Sequence, residues 1–188
     1  MSERPSVAVT QPTPTPNRWA GGSGQYHQIG KTEVWALPRA TGKYAQRFPG
    51  LLLERIKERI GWEEPVLFVC SGLVKEGMSV DMNPAVRPTV LADACHLPFA
   101  DSLFGIVICD PPYDESRAAY WGYPYPRPNI MAREAARVTR PEGLLIVLHW
   151  LVLITPPEME RVAVVAVTNG PNMRIRALNA FRKLPGAW

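Results

Sequence analysis

The sequence predicts a three-layer α/β domain on a mostly parallel, seven-stranded sheet that ends in an antiparallel hairpin, with reduced helix content. Three observations predict it. Short apolar runs follow one another at Val66 to Cys70, Met78 to Met82, Thr89 to Ala92 and Gly105 to Cys109, with the length and composition of buried strands. Helical spacing brackets them, with Leu52, Ile56 and Ile60 before and Asn129 to Thr139 after. Two final β-type runs, Arg161 to Thr168 and Met173 to Phe181, are joined by Thr168-Asn-Gly-Pro-Asn172, whose Asn169-Gly170 is a strong hairpin signal and places that pair at a sheet edge.

The elements follow in order. Residues 1–24 read as a flexible Pro/Thr/Gly-rich tail, because Gln11-Pro-Thr-Pro-Thr-Pro16 favours extended backbone and Gly21-Gly-Ser-Gly24 is flexible. Residues 25–188 then form a single domain, with order beginning near Tyr26 to Leu37. The first helix starts at Pro49, which suits a first turn, and stops at Gly61. After the four early strands, the helix at Asn129 to Thr139 turns through Arg140-Pro-Glu-Gly143 into a strand from Leu144 to Leu151. The apolar run Leu144 to Ile154 is eleven residues long and contains His149, too short to span a bilayer.

Composition bounds the function. Apolar residues make up 46% and charged ones 20%, a globular balance that excludes wholesale disorder or a fibrous rod. Twenty prolines is about twice the usual share and argues against an all-helical bundle. A net charge of +4 is compatible with a polyanionic partner without requiring one. Met1-Ser-Glu-Arg-Pro5 leads into no apolar segment of signal-peptide type. Three cysteines, Cys70, Cys95 and Cys109, without paired spacing suit reduced thiols in a cytoplasm. They and His96 or His149 lack zinc-ligand spacing, so no metal is expected.

Four early strands end in a small or acidic residue and a loop: Cys70-Ser-Gly72, Asp81-Met-Asn83, Asp93-Ala94 and Asp110-Pro-Pro-Tyr113. Open parallel sheets bind ligands just outside the carboxyl ends of their strands, so acids gathered there point to a ligand. In the last of these loops the two prolines fix the backbone and supply carbonyls without N–H donors. Asp110 adds an acceptor and Tyr113 a ring face for stacking. Such a corner can accept both protons of an exocyclic amine and draw the nitrogen lone pair out of conjugation, toward an electrophile.

Asp110-Pro-Pro-Tyr113 after an apolar strand resembles motif IV of the class I S-adenosylmethionine-dependent amino-methyltransferases, which act on N6 of adenine or N4 of cytosine. The resemblance extends over roughly residues 49–182 and implies a Rossmann-like methyltransferase sheet. It implies that Cys70, Ser71 and Gly72 meet the methionine part of S-adenosylmethionine, that Asp81 with Met82 holds the ribose, and that Asp93 with Ala94 meets the adenine. It makes Asp110, Pro111, Pro112 and Tyr113 the catalytic corner. Ala135 to Val147 is similar to the family's next helix–turn–strand.

The loop Cys70-Ser-Gly-Leu-Val-Lys-Glu-Gly77 departs from the family's richer glycine pattern, and Gly72 to Asp81 leaves no room for a full helix. A pyrophosphate needs a helix N-terminus, so the shortening argues against a nicotinamide or flavin cofactor; Lys75 and the Tyr44 to Pro49 segment are candidate substitutes on the methionine side. Asp114 to Asn129 reads as a proline-stiffened loop whose Arg117, Tyr120 and Trp121, with Tyr113, could stack bases and meet phosphates, or pack as a lid or dimer contact. Arg174 and Arg176 read as a solvated strand face, and His149 as a packed histidine. The expected function is methyl transfer to a base amine, N6 of adenine in DNA first, with cytosine open. The alternatives are an RNA adenine or guanine amino-methyltransferase, a protein or small-molecule amino-methyltransferase, and a non-catalytic cofactor-binding scaffold. Without a separate target-recognition domain, sequence choice falls to residues 114–128 or to a protein partner; no membrane is expected and a homo-oligomer stays open.

Overall fold

The computed structural model describes residues 32–38, 48, 51–170 and 173–186. The tail expected over residues 1–24 and the helix start expected at Pro49 lie outside the described residues. The chain forms β1 (Thr32–Ala36), α1 (Leu52–Arg59), β2 (Val66–Val69), β3 (Met78–Asp81), β4 (Val90–Leu91), β5 (Phe104–Cys109), α2 (Glu115–Trp121), α3 (Pro128–Val138), β6 (Thr139–His149), β7 (Met159–Thr168) and β8 (Arg176–Lys183). They build one eight-stranded sheet in the order β1-β7-β8-β6-β5-β2-β3-β4. Only the β6/β8 and β7/β8 pairs are antiparallel.

The layers follow from alternation along the strands. Leu67, Val69, Val107, Leu145 and Val147 face α3, where Met131, Ala132 and Ala135 complete one core. Val66, Phe68, Ile106, Ile108 and Ile146 face the other way and pack against Leu52 and Ile56 of α1. Strands buried on both faces must be apolar throughout, so their sequence shows continuous runs. Each buried large side chain contributes about 1.5–3 kcal/mol.

Four expectations are corrected. The sheet has eight strands, not seven, and the terminal hairpin is not at an edge, because β1 pairs in parallel with β7. Trp35 anchors β1 in the α1-side core, and Glu33 meets Arg59 of α1 at 2.5 Å. The Arg140 to Gly143 turn is a bulge within β6 that shifts its register on β5 between Thr139 and Leu144. The Asp114 to Asn129 segment is not all loop. Asp114 caps α2 by accepting from the Arg117 amide at 2.7 Å, and Gly122 closes it at φ 79°.

Between Gly72 and the start of β3 at Met78 only turns and bends occur, with no helix, as the spacing requires. Lys75 closes this short loop by donating to the carbonyls of Val86 at 2.7 Å and Arg87 at 2.9 Å. Gly105 sits where an added Cβ would lie 2.5 Å from the Glu63 carbonyl oxygen, so the approach to β5 tolerates no side chain. No helix among the described residues is long and apolar enough to cross a membrane.

Arg137 ties α3 to the segment that leads into β5. Its guanidinium meets Glu134 at 2.7 Å and Asp101 at 2.6 Å, and donates to the carbonyls of Phe99 and Leu97. Glu134 in turn accepts from the Leu97 amide at 2.8 Å. Arg137→Met strands these acceptors and is expected to cost about 2 kcal/mol of stability, read from urea unfolding at unchanged slope. A loss within experimental error would mean that apolar packing alone holds the segment.

Candidate functional site

β2, β3, β4 and β5 run parallel, so their C-terminal ends meet on one edge. There they line an open cleft. Its walls carry Cys70, Ser71 and Gly72 after β2, Asp81 and Met82 from β3, Asp93 and Ala94 after β4, and Asp110, Pro111, Pro112 and Tyr113 after β5. Arg117 and Trp121 of α2 complete the set expected from the sequence. Tyr120 is the exception: it does not line the cleft, is 81% exposed and packs edge-on against Trp121.

The half of the cleft lined by the ends of β2 and β3 is held by one carboxylate. Asp81 accepts from the Gly72 amide on Oδ2 and from the Asn83 amide on Oδ1, each at 2.9 Å. This fixes the loop after β2 against the end of β3. Gly72 adopts φ 53° and Cys70, a non-glycine residue, φ 52°, a left-handed backbone that is costly for a side chain and held here by its surroundings. Burial, with the Asp81 charge nearby, pushes the Cys70 thiol well above its usual range, leaving it protonated and inert. Ser71 Oγ is buried in the cleft wall without a hydrogen-bond partner among the described residues; such an atom calls for a ligand or water. Asp93 accepts from the Cys95 amide at 2.9 Å and meets the exposed His96 ring at 3.2 Å.

The corner after β5 is tighter. Tyr113 Oη donates to Asp110 Oδ1 at 2.7 Å. Its ring packs edge-on against His149 at 5.6 Å and at a tilt against Trp150 at 5.3 Å. Burial pushes the Asp110 carboxyl up to about 6, opposed by the Tyr113 hydroxyl and the Arg176 guanidinium. Burial, reinforced by the Asp110 charge, also pushes the Tyr113 phenol up, so it stays a neutral donor. His149 is fully buried, accepts on Nδ1 from the Leu151 amide at 3.0 Å, and is held below its usual pKa by burial. It is a packing residue for Tyr113.

The structure adds to or corrects the sequence reading at four positions. Asn83 lines the cleft and accepts from Tyr123 Oη at 3.3 Å; the Asn83-Pro84 pair was a visible turn signal. Phe48, inside the Tyr44 to Pro49 segment, lines the cleft and packs on Phe68. Lys75 does not line it. Arg176 is not simply solvated: it donates to Asn169 Oδ1 and to Tyr113 Oη, the latter at 3.4 Å. Among the described residues no group of three or more His, Cys, Asp or Glu is arranged to hold a metal.

No family model matches the sequence, and no curated protein matches it. Solved structures do. The (4+2)-cyclase SpnF is 13% identical, over 72% of this chain and 81% of that one, with a TM-score of 0.52. PH0226 from Pyrococcus horikoshii is 14% identical, over 70% and 87%, with a TM-score of 0.50. The chain has the Rossmann-like methyltransferase fold. A SAM-dependent methyltransferase from Methanosarcina mazei matches at 13% identity over 64% and 92%, with a TM-score of 0.45. The chain spans 51% and 43% of the lengths of two further matched structures, the second being TrmN from Thermus thermophilus. A shared fold does not name a reaction, which has to be argued from the cleft.

Proposed function

We propose that this chain transfers the methyl group of S-adenosylmethionine to the exocyclic amine of a nucleic-acid base, N6 of adenine in DNA first. One observation carries the reading: Asp110-Pro-Pro-Tyr113 opens onto the cleft that also holds Cys70 to Gly72, Asp81 and Asp93. The residues fit the cofactor. Cys70, Gly72 and the Ser71 hydroxyl, unpartnered among the described residues, would meet its methionine part, Asp81 with Met82 its ribose, and Asp93 with Ala94 its adenine. S-adenosylmethionine supplies an electrophilic methyl carbon: the amine forms the new N–C bond, the C–S electron pair returns to sulfur, and one proton leaves nitrogen.

The chain's own groups do the rest. Asp110 and the Pro111 carbonyl would accept hydrogen bonds from the two N–H groups of the amine and draw the nitrogen lone pair out of conjugation with the ring. Oδ1 of Asp110 is taken by Tyr113, and among the described residues no donor meets Oδ2, which leaves that oxygen for the substrate. The Tyr113 ring, wedged by His149 and Trp150, offers a preset surface to the base. Asp110 accepts the departing proton, which requires the carboxylate form and therefore a pH above about 6. Positioning and fixed acceptors supply most of the acceleration.

A second reading, a cofactor-binding scaffold without turnover, draws on the short Gly72 loop and on the Asp81 oxygens already engaged by backbone amides. One experiment separates the two. The protein is incubated with isotopically labelled S-adenosylmethionine and DNA or RNA, followed by nucleoside mass analysis and, in parallel, calorimetric cofactor titration. Labelled N6-methyladenine in DNA is expected. Label in RNA alone moves the acceptor to RNA. Cofactor binding with no label in any acceptor supports the scaffold, and no cofactor binding defeats both readings.

A further inference from the structure

Beside the Tyr113 corner stands a basic cluster that methyl transfer itself does not use. Trp150, at the end of β6, carries the Arg117 guanidinium 4.9 Å and the Arg174 guanidinium 4.4 Å from its ring centroid, while its ring packs on Tyr113. Arg117 and Arg174 are both exposed. Arg117 reaches Asp114 only at 3.9 Å, and among the described residues no carboxylate pairs with Arg174 or Arg176. Two cations held against one ring repel each other, and an anion between them relieves that repulsion. Stacking also leaves the N–H edges of each guanidinium free for such an anion.

The ring identifies the anion's setting. Arg174 is flanked by Met173 and Ile175, 46% and 63% exposed, so cations alternate with apolar side chains next to two aromatic rings packed at a tilt. That combination suits a strand whose bases are unpaired: phosphates meet guanidiniums, and base faces meet rings and apolar side chains. A duplex keeps its base faces covered and would have to extrude the target.

We propose that Arg117, Trp150 and Arg174 form a backbone-binding rim that holds the phosphodiesters flanking the target base of a single DNA strand. The proposal rests on the base-methylation reading and extends it to the form of the substrate. The rim explains how a chain can present a base to Asp110 using contacts that are indifferent to sequence.

The test is fluorescence anisotropy with a labelled DNA strand of about 12 nucleotides, the matching duplex and the same strand as RNA, between about 50 and 200 mM salt. Arg174→Gln is expected to weaken strand binding about 3- to 10-fold and to lower the salt slope by about 0.7, one phosphate contact. Trp150→Leu should weaken it comparably, with the duplex bound less tightly than the strand. Arg174→Gln is a surface change, so its result stands even where Trp150→Leu fails to fold. A strand held as RNA at least as tightly as DNA, with the same response to Arg174→Gln, supports the rim with RNA as the source of the phosphates. Strand affinity and salt slope unmoved by Arg174→Gln overturn the rim but leave base methylation standing if the wild-type chain still labels DNA. Wild-type protein that labels free adenosine or a protein amide and binds no strand overturns both.

Discussion

Asp110→Ala is expected to lower methyl transfer by about 10³-fold or more while sparing cofactor affinity, because it removes the acceptor at the reacting nitrogen and touches nothing on the Asp81 side. The same residue is expected to cost stability at neutral pH. Its carboxyl titrates at about 6 in the folded chain against 3.8 for the free group, so the folded state binds more protons between those values. Asp110 thus contributes stability below about pH 4 that is lost as the pH rises through about 6. Asp110→Asn keeps an acceptor for Tyr113 Oη and removes the charge, so it should gain about 1–2 kcal/mol at pH 7.5 and nearly nothing at pH 4. Thermal unfolding at the two pH values, beside turnover, checks the pair of effects. Turnover retained in the alanine variant would take Asp110 out of the chemistry. An equal gain at both pH values would show that ionisation is not the source of the cost.

That cost is one sign of why the site was legible at all. β2 and β5 are buried on both faces, so they appear as unbroken apolar runs, and the polar residues that stop those runs stand out. Asp81, Asp93 and Asp110 could therefore be found by where apolar sequence ends. β1 could not. Its five residues mix exposed Val34 with buried Trp35, and its strand character depends on pairing with β7, more than a hundred residues later. α2 carried its own boundary signals in Asp114 and Gly122, but the prolines after it and the aromatics within it favoured a loop reading. Arg176 illustrates the remaining limit. Its local alternation with Arg174 suggested a solvated face, whereas its partner Tyr113 lies on a different strand end, brought near only because β8 runs antiparallel beside β6. Local pattern reports burial; it does not report which distant group a long side chain will meet.

The second large effect is expected at Asp81, where structure and ligand binding compete for one carboxylate. Asp81→Ala releases the Gly72 and Asn83 amides at once, which should cost about 1–2 kcal/mol in the absence of any ligand. On the proposed reading it should also weaken S-adenosylmethionine about 100-fold or more, because the proposed ribose acceptor and the loop's fixed position would be lost together. Asp81→Asn separates these: one amide acceptor survives while the charge is gone, so most of the stability is kept and cofactor affinity still falls. The decisive readout is the stabilisation conferred by cofactor. At a concentration 100 times the wild-type Kd, the wild-type chain should gain about 2.7 kcal/mol, and Asp81→Ala less than about 0.5 kcal/mol. A variant that unfolds earlier yet gains as much from cofactor as wild type would make Asp81 a loop clip only. In that case the second oxygen lone pairs of the carboxylate point at no ribose, and the cofactor's place in the cleft must be sought along Asn83 and Asp93 instead.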